Sequence, residues 1–542
     1  MATNRLGGRR TAALACTFAL ITAAGAGAQL GLAGAAMLQQ GVGGFPDESE
    51  FWDELGWAVA SGDFDGDGRD DLAIGALTET PAFSAFAAGQ VTVVYGAAGG
   101  IDPSSGTVWA LDWTGFGPAQ DLDLLGSSVA SGDFDQDGYD DLAIGIPFRD
   151  VAFGGGTVDD AGAVLVLYGG PGGIALGGQQ LWHQGANSVA GVPEDSDWFG
   201  AALAAGDFNS DGFADLAISV YGEDVGAISG AGAVNVIYGS PSGLSPTFAP
   251  IDDQIWTQGD LGLTPDEAGD SFGRSLAAGD FDGDGIDDLA VGAPGEDVGA
   301  IAGAGAVTAI YGTGLGLAAT GAQIFTQNDL IPGSAEPGDL FGSALAVGDF
   351  GGDGYDDLAI GSPWEDAEAG FVIPRVGAVH LVSGEPGGLN PLAFSFLDRS
   401  DVDGTVAAED QFGASLAAGD FDGDGRDDLV VGAPGVDVSG IDEAGAAFVF
   451  AGQDDAEPLY DLTLSQAGSV PGAPEVDDHF AASLATGDFD GNGFDELAVG
   501  VPEESAGGAE DAGVVNLFAD QGLFRDGFEV GSASRWSAAV SN

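Results

Sequence analysis

The chain has 542 residues, 86 acidic and 11 basic side chains, a formal net charge of −75, and 45% hydrophobic residues. So acidic a surface excludes nucleic acid and anionic membranes as partners, since both are bound through basic patches. The hydrophobic share excludes simple disorder, which needs low hydrophobicity as well as high charge.

The first segment, MATNRLGGRRTAALACTFALITAAGAGAQ, places Arg5, Arg9 and Arg10 ahead of an apolar stretch that runs to about Ala24. Ala26-Gly27-Ala28 follows as a small-residue cleavage pattern. This predicts a secretory signal peptide over residues 1–28. Its apolar core is too short for a comfortable membrane span, so no membrane insertion is expected after cleavage. The mature chain is then secreted or extracellular, with the periplasm or the cell surface as alternative destinations. Cys16, the single cysteine, lies inside the leader. No disulfide is available, and bound metal is expected to take over the cross-linking that disulfides provide outside the cell.

From residue 62 the chain reads GDFDGDGRDDLAIGA. Asp63, Asp65, Asp67 and Asp71 fall at positions 1, 3, 5 and 9 of a loop, Gly68 is at position 6, and Arg69 at position 7 offers a backbone carbonyl. Calcium takes six to eight hard oxygen ligands, and such spacing turns alternate carboxylates inward. An apolar strand follows rather than an amphipathic helix, so the loop is EF-like but set in a β-hairpin.

The loop recurs six times, with first aspartates 68 to 74 residues apart. The second copy holds Asp133, Asp135, Asp137, Tyr139 and Asp141, and the third holds Asp207, Asn209, Asp211, Phe213 and Asp215. The fourth holds Asp280, Asp282, Asp284, Ile286 and Asp288. The fifth holds Asp349, Asp353, Tyr355 and Asp357, with Gly351 where an acid is expected. The sixth holds Asp420, Asp422, Asp424, Arg426 and Asp428, and the seventh Asp488, Asp490, Asn492, Phe494 and Glu496. Up to seven Ca²⁺ are expected. The 349–357 site should be the weakest, and Asn209 and Asn492 should lower affinity in theirs.

A period near seventy residues sets the architecture. In the fourth copy SFGRSLAAGDF, DLAVGAP, GAVTAIYG and QIFTQ read as four successive strands. The predicted fold is all-β: a seven-bladed β-propeller of four-stranded antiparallel blades. The last repeat lacks its fourth strand, whereas MLQQG (37–41) matches the fourth strands LWHQG (181–185) and IWTQG (255–259). The N-terminal strand should therefore complete the last blade and remove an open edge. The propeller is expected over 29–522, and 523–542 forms a tail outside the repeat.

The FG pairs (272–273, 341–342, 412–413), the D-x-D-x-D-G-x-x-D loops and GAP (292–294, 432–434) resemble FG-GAP repeats, as in the propeller of integrin α chains. The resemblance implies calcium in the loops of one face and partner contacts on the other, with the position-7 residues contributing only carbonyls. It licenses the scaffold and its metal, not adhesion by the integrin route.

No H-E-x-x-H or P-loop occurs, and His183, His380 and His479 fall at unrelated places in the repeat. A non-enzyme is expected, with a carbohydrate-active lyase or hydrolase as the alternative; Arg149, Arg274, Arg375 and Tyr221 are its remaining candidate bases. A second acid set follows the second strands, at GED (222–224), GED (295–297), WED (364–366) and VDV (436–438), with further acids at 503–504. PEDSDW (193–198) and PDEAGD (265–270) share its face. That face reads either as a solvated acidic rim or as a ligand surface presenting Trp198 and Trp364. The expected function is a secreted, calcium-binding recognition or adhesion module, acting as a monomer on an extracellular glycan or protein. A purely structural envelope component is a further alternative.

Overall fold

The computed structural model describes residues 35–519, except 81–84, 187, 248–251, 331–333, 369–371, 403–405, 454–457 and 468–469. The expected signal peptide and the tail lie outside the described residues. Seven four-stranded antiparallel sheets form the blades. Blade 4 shows the common plan: strands Ser275–Gly279, Asp288–Ala293, Ala306–Tyr311 and Ala318–Phe325, each paired with the next. The first strand of every blade touches the first strands of both neighbours, including the first strand of blade 1 against that of blade 7. The seven first strands thus line the centre of a closed ring.

Residue choice follows depth. Every second strand, such as Asp71–Ala76 or Asp357–Ser362, is buried along its whole length. It lies between two neighbouring blades and therefore reads as a continuous small or apolar run rather than an alternating one. Fourth strands face solvent on one side; Leu459–Leu464 alternates exposed and covered positions. The core is divided among the junctions. One cluster joins Phe208 and Val234 of blade 3 to Phe272, Leu289 and Val291 of blade 4, and each of the other clusters likewise draws on neighbouring blades.

The FG and GAP elements have distinct duties in this packing. Gly273 donates its amide to the carbonyl of Gly292 at 3.0 Å, joining FG to GAP within blade 4. The phenylalanine reaches the other way: Phe341 bridges to Gly305, just before the third strand of the preceding blade. A Cβ at Gly305 would run into the backbone of Phe341, and its φ of +91° lies in the left-handed region that glycine tolerates. Phe272, Phe341 and Phe412 are all fully buried.

The ring closes through the N-terminus. Ala36–Leu38 pairs antiparallel with Val514–Phe518 in the register Ala36↔Leu517, Met37↔Asn516, Leu38↔Val515. It is the fourth strand of blade 7, as the MLQQG match predicts. Two short hairpins, Val151–Phe153 with Gly156–Val158 and Ala367–Glu368 with Val372–Ile373, decorate the long loops of blades 2 and 5. Periodicity gave no sign of them.

Candidate metal centres

All seven acidic loops join first to second strands, so they emerge on one face. In the first, Asp63 shapes the turn. Its Oδ1 accepts from the amides of Gly66 (2.8 Å) and Asp67 (3.0 Å), and its Oδ2 from Gly68 (2.9 Å). Asp71 anchors the loop to the blade, accepting from the Phe64 amide at 2.9 Å and from Gly96, past the third strand, at 2.8 Å. The same pair of anchors recurs at Asp141, Asp215, Asp288 and Asp428. Glu496, though longer, takes the Phe489 amide at 2.7 Å, so the seventh loop keeps that anchor.

These loops gather carboxylates that could hold metal ions. Ligand atoms of Asp63, Asp65 and Asp71 lie within 4.8 Å of one another, as do those of Asp133, Asp135 and Asp141, and those of Asp280, Asp282 and Asp288. In the sixth loop Asp420, Asp422 and Asp424 converge in the same way. Position 3 points inward with atoms to spare: Asp135 Oδ1 and both amide atoms of Asn209 are buried without hydrogen-bond partners. An oxygen-rich set with unpartnered inward atoms fits a hard divalent cation. The fifth loop has the same frame, with Asp349 accepting from Asp353 (3.0 Å) and Gly354 (2.9 Å), but Gly351 supplies no ligand.

The electrostatics agree. Burial pushes the carboxyls of Asp71, Asp141, Asp288 and Asp428 up to about 8, and their acidic neighbours raise them further against the backbone donors that oppose the shift. Asp215 rises to about 9 and Asp357 to about 7 for the same first reason. Without a cation these anchors would hold protons near neutrality; a bound divalent ion reverses that preference.

Position 7 does more than lend a carbonyl. Arg69 and Arg426 each reach back to the position-5 carboxylate, Asp67 and Asp424, at 2.6 Å. The Arg69 Nε also donates to the Asp490 carbonyl of the neighbouring loop at 3.2 Å. Tyr139, Tyr355 and Phe494 lay their rings where a Cβ on Gly66, Gly283 or Gly423 would sit, so position 4 of each preceding loop has room only for glycine.

Position 8, which ligand spacing leaves without a role, binds the loops into a belt. The position-8 amide of each blade donates to the position-1 carbonyl of the preceding blade, at 3.0–3.2 Å around all seven junctions. At six junctions the side chain returns the bond: Asp140 accepts from the Asp63 amide at 3.0 Å, Asp287 from Asp207 at 2.8 Å, and Asp70 from Asp488 at 2.9 Å. Asp356, Asp427 and Asp495 do the same for Asp280, Asp349 and Asp420. Ala214 breaks the series between blades 2 and 3.

On the opposite face the second acid set divides. The aspartates cap their own loops: Asp224 accepts from Gly230 and Asp297 from Gly303, each at 2.9 Å. The glutamates instead turn into the junctions between blades. Burial, reinforced by neighbouring carboxylates, pushes Glu79, Glu365 and Glu504 up to about 8. Trp198, expected to be exposed, is half-buried, with the Tyr221 ring tilted against it at 4.9 Å and the Phe148 ring at 6.3 Å. Arg274 lies 5.0 Å above the Tyr221 ring, and Arg375 covers the exposed Trp364 at 4.3 Å. The histidines occupy separate surroundings: His380 is fully buried between Phe341 and Phe396, and His479 lies between Glu443 and Glu503. A pocket of about 280 Å³ beside His183 contains Arg149, but Asp123 holds that guanidinium at 2.7 Å.

The FG-GAP repeat pattern matches residues 55–94, 125–167, 199–237, 272–310, 341–382, 412–450 and 480–516, one stretch per blade. The chain belongs to the FG-GAP repeat family. Among curated relatives, the human phosphatidylinositol-glycan-specific phospholipase D is 35% identical over 167 residues, covering 30% of this chain and 18% of that protein. Integrin alpha pat-2 of Caenorhabditis briggsae is 32% identical over 249 residues, covering 43% and 18%. Integrin alpha-5 of Xenopus laevis is 31% identical over 251 residues, covering 45% and 21%. This FG-GAP chain thus spans at most about a fifth of the length of these relatives. Among solved structures, the exotype rhamnogalacturonan lyase YesX aligns over 90% of this chain and 76% of its own, at a TM-score of 0.41 and 13% identity, too distant to bear on function. No helix among the described residues is long and apolar enough to cross a membrane.

Proposed function

We propose that this FG-GAP propeller is exported, carries calcium in its seven loops, and acts as a non-enzymatic module that recognises an extracellular glycan or protein. The observation that carries the recognition reading is the run Phe148–Trp198–Tyr221–Arg274, which crosses blades 2, 3 and 4 on the face away from the loops. Rigid aromatic rings beside arginine offer large contact area at little entropic cost and suit both sugars and protein side chains. Calcium is structural in this reading: bound only by the folded ring, it stabilises that ring by mass action. The engaged Arg149, the buried His380 and the carboxylate-paired His479 support a non-catalytic role, since none stands free as a base.

The test is a screen of residues 29–542 against immobilised glycans and extracellular matrix proteins, in calcium and in EDTA. Binding to one class is expected in calcium. Tyr221→Ala and Trp364→Ala should weaken it without lowering the melting temperature by more than a few degrees. Failure to bind any class in calcium would refute the recognition reading and favour a purely structural role.

A further inference from the structure

Five of the seven junctions between blades carry the same side chains on the face opposite the loops. A glutamine at the end of one outer strand donates its Nε2 to a glutamate that follows the second strand of the next blade. The pairs are Gln40–Glu79 (3.1 Å), Gln184–Glu223 (2.8 Å), Gln258–Glu296 (3.0 Å), Gln327–Glu365 (2.6 Å) and Gln466–Glu504 (2.9 Å). Beside each pair is an aspartate no more than 2% exposed: Asp53, Asp197, Asp270, Asp339 and Asp478. Three residues before each aspartate stands a further acid, Glu50, Glu194, Glu267, Glu336 or Glu475, nearer the solvent. In the first junction the carboxylates of Glu50, Asp53 and Glu79 lie within 4.8 Å of one another.

Two facts require something positive there. First, among the described residues no arginine or histidine is bonded to these Glu–Asp pairs. All five glutamines are 0–2% exposed, and the Oε1 of each has no hydrogen-bond partner, although it shares a planar amide with the nitrogen bonded to the glutamate. A dry amide oxygen left unpaired beside two carboxylates is a costly arrangement unless a cation accepts all three.

Second, the two remaining junctions supply their own cation and lose the rest of the set. Between blades 1 and 2 the glutamine becomes Leu111, the glutamate Arg149 and the outer acid Gln120, and Arg149 pairs with the retained Asp123 at 2.7 Å. Between blades 5 and 6 the glutamine becomes Arg399, the glutamate Val436 and the outer acid Ala407, and Arg399 faces the retained Asp410 at 3.4 Å. The buried third-strand residue of the same register changes in step. It is polar in the five blades (Thr92, Asn235, Thr308, His380, Asn516) and apolar in the two (Leu165, Phe448). Arginine thus stands wherever the oxygen set is missing.

We infer that these five junctions are a second ring of divalent-cation sites of the calcium class, each ligated by the buried Asp, the Glu paired with the glutamine, the unpaired Gln Oε1 and the outer Glu. All the donors are hard oxygens, and their negative charge exceeds that of one divalent ion. The sites cross-link successive blades on the face opposite the loops, and they stand independently of the loop sites.

The test is calcium stoichiometry of residues 29–542, stripped, reloaded at neutral pH and measured by equilibrium dialysis with elemental analysis. Five ions beyond those of the loops are expected. Glu296→Gln and Glu504→Gln, both isosteric, should each lower the count by one. Q258L/E267Q/E296R, which copies the junction between blades 1 and 2, should also lose one ion and should melt no lower than the wild type in chelator. Asp282→Ala removes a loop ligand instead, so failure of the loop sites would be seen separately. A count left unchanged by both glutamine variants overturns the inference. So does a protonated-carboxyl infrared band that persists in calcium-loaded wild type at neutral pH and disappears in Glu296→Gln, because the junctions would then hold protons.

Discussion

Removing one link of the position-8 belt tests whether the loops act separately or as a joined ring. Asp287 is half-buried, and its Oδ2 accepts the Asp207 amide at 2.8 Å. Gly206 allows this approach, because a Cβ there would stand 3.0 Å from the same oxygen. Asp287→Ala deletes a hydrogen bond to a charged acceptor, worth about 1.5–3 kcal/mol, and leaves the Asp207 amide without that partner. Part of the loss is returned, since burial already holds the Asp287 carboxyl above its ordinary range and alanine carries no such penalty. The net expectation is a destabilisation of about 1–2 kcal/mol. Ala214 supplies the reciprocal experiment: Ala214→Asp, facing the Asp133 amide, should stabilise by up to about 1 kcal/mol. Both are read from urea unfolding in excess calcium, with midpoint shifts converted through the measured m-value. If both variants fall within about 0.5 kcal/mol of the wild type, the ordinary scatter of surface substitutions, the belt contributes nothing and the reasoning fails.

Chelation should lower the melting temperature, and more so at pH 8 than at pH 5. The anchors Asp71, Asp141, Asp288 and Asp428 sit near 8 in the fold against an ordinary 3.8, so the metal-free fold holds more protons than the unfolded chain between those values and loses stability as pH rises through them; equal drops at both pH values would contradict this. Gly351→Asp should strengthen the fifth loop, because a Cβ there meets nothing closer than 3.8 Å, whereas Asp282→Ala should empty the fourth; calcium titrations of single variants check both. His380 is driven down to about 3 by burial, so the unfolded chain takes up the proton first and stability falls as pH drops below 6.5. His380→Thr, the residue type of Thr92 and Thr308, should therefore gain about 2 kcal/mol on the wild type between pH 7 and pH 5 in unfolding titrations.

What could be read from the residues and what could not divide along one physical line. The convergence of the loop carboxylates, the strand order and the pairing of MLQQG with the last blade follow from the repeat itself, where spacing and periodicity carry the information. Asp70 and its counterparts were visible as extra acids but had no assignable partner, because their bonds run to the preceding blade. The rings of Tyr139 and Tyr355 on neighbouring glycines were hidden for the same reason. The glutamates of GED could equally have been a solvated rim; only the packing of adjacent blades makes Glu296 a buried group 3.0 Å from Gln258. Trp198 reads as an exposed aromatic until Phe148 and Tyr221 are brought beside it by different blades.

The pairing of residues 36–38 with 515–517 has a further consequence for assembly. Without that three-residue strand, Val514–Phe518 would present an unpaired edge, ready to accept the N-terminal segment of another copy. At high concentration a chain whose own strand is displaced would exchange it with a neighbour, giving domain-swapped oligomers built from intact blades. Closure of the ring by its own chain therefore rests on the high local concentration of its own first strand, and cutting the chain just after Leu38 should turn a single ring into a concentration-dependent association.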